Sequence, residues 1–138
     1  MRVMAIDYGD ARTGVAFSDA SGLLAGDALV LPSRNPEKLL ADLCRLAEER
    51  GAEVLVLGLP RNMDGSEGPR AEKSRALKRR LEEAGLRVEL VDERRTTVEA
   101  HAILTETGRR GKQRKKRVDA VAASLILETY LNAHREEA

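Results

Sequence analysis

Val3-Met4-Ala5-Ile6-Asp7-Tyr8-Gly9-Asp10-Ala11-Arg12-Thr13-Gly14-Val15-Ala16-Phe17-Ser18 is the stretch on which the fold turns. Its first four residues are continuously apolar, too few for a helix, and read as a strand buried on both faces. The run ends at Asp7-Tyr8-Gly9. Asp10 to Thr13 is a short polar turn, and Gly14 to Asp19 a second strand. Strands this close in sequence pair as an antiparallel hairpin. The sheet therefore begins with a hairpin and carries an acid, Asp7, at the end of its most apolar strand.

Working outward, Ala28 to Leu31 predicts a third strand. Asn35-Pro36 opens a helix, with Asn as N-cap and Pro as first helical residue. Leu39, Leu40, Leu43, Leu46 and Ala47 recur at helical spacing, and Gly51 closes the helix. Val54 to Leu57 is a second fully apolar strand. Arg61 to Gly68 reads as a loop, and Pro69 starts a helix that ends at Gly85. Val88 to Val91 is another strand, finishing in Asp92-Glu93. Thr96 to Glu99 fits a capping box that opens a short helix. Gly108 to Arg117 breaks the pattern, Val118 to Leu131 is an apolar helix, and 132–138 is a frayed tail. A hairpin first, then strands alternating with helices, gives α/β: a mixed central sheet flanked by helices. The 138 residues predict a single domain over 1–138.

Composition excludes several classes. With 42% hydrophobic and 34% charged residues the chain is of ordinary globular type. No apolar stretch approaches the ~18 residues of a membrane span. Met1-Arg2-Val3-Met4 runs straight into a strand, unlike a secretion signal. Cys44 is the only cysteine, so no intrachain disulfide forms, and the cytoplasm is the expected compartment. One Cys and two His, His101 and His134, do not make a zinc site. Carboxylates are left as ligands for a metal. Tyr8, Phe17 and Tyr130 are the only aromatics, too few for a platform on which bases stack. Contact with nucleic acid should therefore be mostly to its backbone.

The net charge of +1 conceals an asymmetry: Arg94 to Arg117 holds nine Lys or Arg against two Asp or Glu, on an otherwise acidic chain. Arg109, Arg110, Lys112, Arg114, Lys115, Lys116 and Arg117 put seven positive charges in nine residues. Mutual repulsion makes this run a loop, suited to a phosphate-rich partner. It directly precedes Asp119. Asp7, Asp92 or Glu93, and Asp119 are the acids that stand out from solvated surface charge. Each also has a plain structural use: Asp7 can begin a turn, Asp119 suits a helix N-terminus, and Asp92-Glu93 can be loop charge. Strand ends are nevertheless where α/β folds place ligands. Oxygen ligands converging from separate elements suit Mg2+ or Mn2+ and metal-assisted phosphodiester hydrolysis. Alternation cannot choose between Asp92 and Glu93, because neighbours in a strand face opposite sides. Arg12, in the turn after Asp7, can hold a phosphate or the turn itself, and Arg70, at the helix start after the Asn62–Gly68 loop, is in reach of a phosphate there, although a loop of that composition is more often a flexible connection.

These residues fall into four motifs. Asp7-Tyr8-Gly9-Asp10-Ala11-Arg12-Thr13-Gly14-Val15-Ala16 resembles the opening motif of the YqgF (RuvX) family. Gly58-Leu59-Pro60, Asn62 to Ser66 and Glu72 are similar to its second. Asp92-Glu93-Arg94, Thr96-Thr97 and Glu99-Ala100 resemble the third. Lys116, Val118-Asp119, Ala122-Ala123, Ile126-Leu127 and Tyr130-Leu131 resemble the fourth. The resemblance implies an RNase H-like fold, akin to RuvC Holliday-junction resolvases. It implies a nuclease whose metal-binding, catalytic acids are Asp7, Glu93 and Asp119, with Glu93 rather than Asp92, and Arg94 among the cations that hold nucleic acid. The function it implies is processing of the 5′ end of the 16S ribosomal RNA precursor. A resolvase acting on four-way DNA junctions is the alternative, and cutting two strands symmetrically would favour a homodimer. A non-catalytic RNA-binding factor in ribosome assembly is the alternative of another class. Asp-x-Gly before a hairpin also occurs in actin-like phosphotransferases, but those need two such domains.

Overall fold

The computed structural model of the chain describes residues 1–19, 25–92 and 111–137; for 25, 111–119 and 134–137 it describes the backbone only. Five strands are described: β1 (Val3–Asp7), β2 (Arg12–Ser18), β3 (Ala25–Pro32), β4 (Val54–Leu59) and β5 (Val88–Asp92). They form one sheet in the order β3-β2-β1-β4-β5. β1 and β2 pair antiparallel, as do β2 and β3, whereas β1–β4 and β4–β5 are parallel. The expected mixed sheet is present, antiparallel in its first half and parallel in its second.

Three helices are described: α1 (Pro36–Arg50), α2 (Pro69–Glu83) and α3 (Gly111–Glu137). The Asn35 carboxamide oxygen accepts from the amides of Glu37 and Lys38, Pro36 stands at the helix start, and Gly51 closes α1 at φ 65°. These are the start and stop signals legible in the sequence. Gly85, at φ 93°, follows α2 in the same role.

The sheet is buried on both faces. Met4, Ile6, Val15, Phe17, Leu55 and Leu57 pack with Leu39, Leu43, Leu77 and Leu81 of α1 and α2. Val3, Ala5, Ala16, Val54 and Val56 pack instead with Ala123, Ile126, Leu127, Tyr130 and Leu131 of α3. Alternate residues of β1 thus serve opposite cores, which is why the run reads as uniformly apolar. The Tyr130 hydroxyl donates to Glu89 Oε2 at 2.6 Å, fixing α3 to β5.

Two expectations need correction. From Gly111 the basic run is not a loop but helical, so Lys112, Arg114, Lys115, Lys116 and Arg117 lie in α3. Lys, Arg and Gln are good helix formers, no Gly or Pro interrupts 112–117, and a 3.6-residue repeat spreads the charges around the axis. The frayed tail is not seen either, because α3 continues through Glu137. β3 is also longer than its apolar centre, reaching Pro32 by pairing along β2. The helix expected from Thr96 lies outside the described residues.

Candidate active site

Asp7 is the last residue of β1, half-buried, in phase with Val3 and Ala5, which face α3. Ile6, Leu57 and Leu90 stand in register across β1, β4 and β5, so Asp7 lies one residue beyond, toward the carboxyl edge of the parallel strands. β1 is also where the antiparallel half meets the parallel half. At that edge β1 turns back into β2 on one side, while β4 on the other side runs on toward α2, the kind of place where α/β sheets open a crevice. Arg12 begins β2 in phase with Gly14 and Ala16, and Ala16 packs toward α3; the sheet thus gives Arg12 the same face as Asp7.

Asp92 is at the same edge but in phase with Leu90, which packs against the α1/α2 core, while Val91 packs against the α3 core. Its carboxylate lies 3.8 Å from Arg61 Nη1, and Arg61 Nη2 lies 3.6 Å from Glu67. Asp92 therefore faces away from Asp7 and helps tie the β4–α2 loop to the end of β5. Arg61 went unnoticed in the sequence because nothing in a loop predicts which strand end it will reach.

The turn after Asp7 is held from both sides. The Gly9 amide donates to Thr13 Oγ1 at 3.4 Å, and the Ser33 hydroxyl donates to the Gly9 carbonyl at 2.5 Å. The Ser33 amide donates to the Ala11 carbonyl at 3.0 Å. Thr13 and Ser33 are both buried, so these bonds are not shared with bulk water. From α2, Arg70 donates to the Tyr8 carbonyl and stacks over the Tyr8 ring. Arg70 Nη1 and Lys73 Nζ both donate to Asp10 Oδ1, at 2.7 and 2.9 Å. The Lys73 hydrogen bond first, then the Arg70 charge, holds the Asp10 carboxyl below the usual carboxylate range. Arg70, a sequence-level candidate for phosphate contact, is thus engaged in bracing the turn that follows Asp7.

The loop before α2 is ordered by its own groups. Asn62 Nδ2 donates to Ser66 Oγ at 2.9 Å, and both the amide and the hydroxyl of Ser66 donate to Asp64 Oδ1. Arg75 grips Glu67 through two bonds of 2.6 and 2.8 Å. Gly68 caps α2 without a side-chain bond.

Asp119 lies in α3. The helical repeat puts position 119 on one stripe with Ala122, Ala123 and Ile126, all buried against the sheet. The side chains of Asp119, Lys112, Arg114, Lys115, Lys116 and Arg117 are not among those described, and Glu93, Arg94, Arg109 and Arg110 lie outside the described residues. Among the described residues no three His, Cys, Asp or Glu gather as metal ligands, and no helix is long and apolar enough to cross a membrane.

A family model described as RuvX, Holliday junction resolvase, matches residues 1–133. A relative from Halothermothrix orenii is 44% identical over 133 residues, spanning 96% of this chain and 95% of its own. One from Moorella thermoacetica is 45% identical over 133 residues, with the same coverage. Both are provisionally named pre-16S rRNA nucleases. Among solved structures, T. thermophilus RuvC with a Holliday junction substrate superposes with a TM-score of 0.62 at 16% identity, covering 100% of this chain and 98% of that one. The fowlpox virus resolvase with Holliday junction DNA gives 0.61 at 11% identity, covering 97% and 99%. At those identities the likeness is one of fold, the RuvC-like RNase H fold. Sequence identity, the family model and the architecture agree: the chain belongs to the RuvX family.

Proposed function

We propose that the chain is a divalent-metal-dependent nuclease that hydrolyses phosphodiester bonds in structured nucleic acid, foremost the 16S ribosomal RNA precursor in the cytoplasm. Membership in the RuvX family and relatives named for that precursor support the activity and the substrate. The observation that carries the site is Asp7, half-buried at the carboxyl edge of β1 on the face that α3 covers, with position 119 on the apolar stripe of that same helix. Glu93 is the third ligand of this reading, the choice that the family resemblance implies, and the placing of Asp92 on the other face supports it.

An all-carboxylate donor set of Asp7, Glu93 and Asp119 fits Mg2+ or Mn2+. Such a metal, when bound, supplies an acidified attacking water and charge neutralisation at the leaving oxygen. The chain's own residues position the substrate. Arg12, on the Asp7 face, and the cations from Arg109 to Arg117 hold phosphates beside the acids. The braced turn keeps the Asp7 carboxylate from moving when it acquires ligands.

The test compares wild type with Asp7→Asn and Asp119→Asn on precursor ribosomal RNA and on a four-way DNA junction with Mn2+. Wild type is expected to cut the precursor. Each variant should lose about 100-fold or more in rate while binding as tightly or more tightly, because repulsion between carboxylate and phosphate falls. Equal cutting by all three proteins would remove the assignment and favour a non-catalytic RNA-binding factor. The family description favours a second substrate, the junction. Symmetric cutting of the junction by a two-fold dimer would support it, and junction cutting without precursor cutting would displace the first.

A further inference from the structure

A cavity of about 460 Å3 opens on the opposite side of the sheet edge from Asp7, between the start of α1 and the Lys73–Arg80 stretch of α2. Its size lies in the range of small-ligand sites. Tyr8, Pro36 and Ala76 give it apolar walls over the buried Leu39 and Leu77, and Arg34 stands at its polar side with Lys73 and the Asp10 that Lys73 grips. Arg80 also lines it and is gripped by Glu37 through two bonds of 2.7 and 2.8 Å. Counting Arg70, four cations stand against two carboxylates, Asp10 and Glu37, so the surroundings are net positive. Arg70, Lys73, Leu77 and Arg80 recur at i, i+3, i+7 and i+10, one stripe of α2.

We propose that this cavity is a subsite for one unpaired nucleotide of the substrate strand: its base sits against the apolar walls and its phosphate against Arg34 and Lys73. An apolar slot with a cationic edge matches the two halves of a nucleotide. Tyr8 connects it to the chemistry, because it lines the cavity and directly follows Asp7, with Cα atoms about 3.8 Å apart. A strand whose scissile phosphate lies at Asp7 need only cross the carboxyl edge of β1 to put a neighbouring base into the cavity. One pocketed base is also what a chain with three aromatics can offer in place of a stacking platform. The subsite rests on the nuclease reading, and its test keeps the two apart.

Two measurements decide it. In metal-free buffer with Asp7→Asn, RNA carrying 4-thiouridine at successive positions is photocrosslinked and mapped by mass spectrometry. Adducts at one position should fall on the peptides bearing Tyr8, Pro36 or Ala76, and Ala76→Leu, which fills the cavity with a helix-compatible side chain, should remove them. Adducts only elsewhere, or none, would overturn the subsite whether or not the protein cuts RNA. With metal, single abasic residues are scanned along a substrate cut by wild type. One position should lower cleavage about tenfold, and Ala76→Leu should cleave the intact substrate about tenfold more slowly and show a flat scan. A flat scan in wild type, with cleavage intact, would overturn the subsite alone. Loss of cleavage in wild type with crosslinks in the cavity would overturn the nuclease reading alone. Thermal melting of Ala76→Leu within a few degrees of wild type shows that the fold is retained.

Discussion

Gly9 occupies a place that a side chain cannot share: a Cβ built there would lie 2.2 Å from the Arg12 carbonyl oxygen. Gly9→Ala should therefore move the turn after Asp7, costing about 1–3 kcal/mol in chemical denaturation and most of the cleavage rate. Gly68→Ala is the control for crowding, since its added Cβ would meet only Asn62 Nδ2 at 4.0 Å; it should cost no more than about 1 kcal/mol, from Ala being a poorer helix cap, and leave cleavage in place. Equal effects of the two would show that the close approach at Gly9 does not matter. At this scale the sequence is informative wherever one residue does one job. Asn35, Pro36 and Gly51 announce α1 unaided, and Asp7 declares itself by ending an apolar run. The partners of the turn do not. Ser33 and Arg70 reach Gly9 and Tyr8 from 24 and 62 residues away, and no local pattern encodes such a distance.

α3 is the element on which most depends. Ala123, Ile126, Leu127, Tyr130 and Leu131 form much of one core. Leu127 is fully buried, so Leu127→Ala should cost about 2–5 kcal/mol of stability. Tyr130→Phe, which removes only the hydroxyl on Glu89, should cost about 0.5–2 kcal/mol; no change in denaturation midpoint would show that this bond contributes nothing. The first turns of the same helix carry Lys115 and Lys116. Replacing both with Ala should make the slope of log affinity against log salt shallower by about 1.4–1.8, depending on strandedness, if each neutralises one phosphate. An unchanged slope would show that these cations do not meet the substrate backbone. The apolar half of α3 is legible as a stripe, whereas its basic half is not. Charge density argued for a loop, and helix propensity without a breaker prevailed.

Across the whole molecule, the two faces of the sheet divide the work. The α1/α2 side is laced by exposed ion pairs, and hydrogen bonds from Lys73, Arg50, Arg80, Lys38 and Arg75 lead the causes that hold Asp10, Asp27, Glu37, Asp42 and Glu67 below the usual carboxylate range. A depressed folded-state pKa gives stability that is present above the unfolded value and lost as pH falls through the folded one. The melting temperature should therefore hold steady down to about pH 5 and decline below about pH 4. Molar salt should shrink the decline, because exposed pairs are screened. Stability that rises below pH 4 would contradict these pairings. The mixed sheet and its order of elements follow from the sequence alone, because a hairpin and apolar runs leave few arrangements. Which face of the sheet Asp92 takes does not, because only pairing with β4 sets the phase of β5. One consequence concerns how such a chain is made. α3 follows every described strand in the polypeptide, so a ribosome finishes those strands while Val3, Ala5, Val54 and Val56 still lack their cover. A nascent chain at that stage exposes an apolar face and, on the reading proposed for Asp119, still lacks one of the acids that cleavage would need.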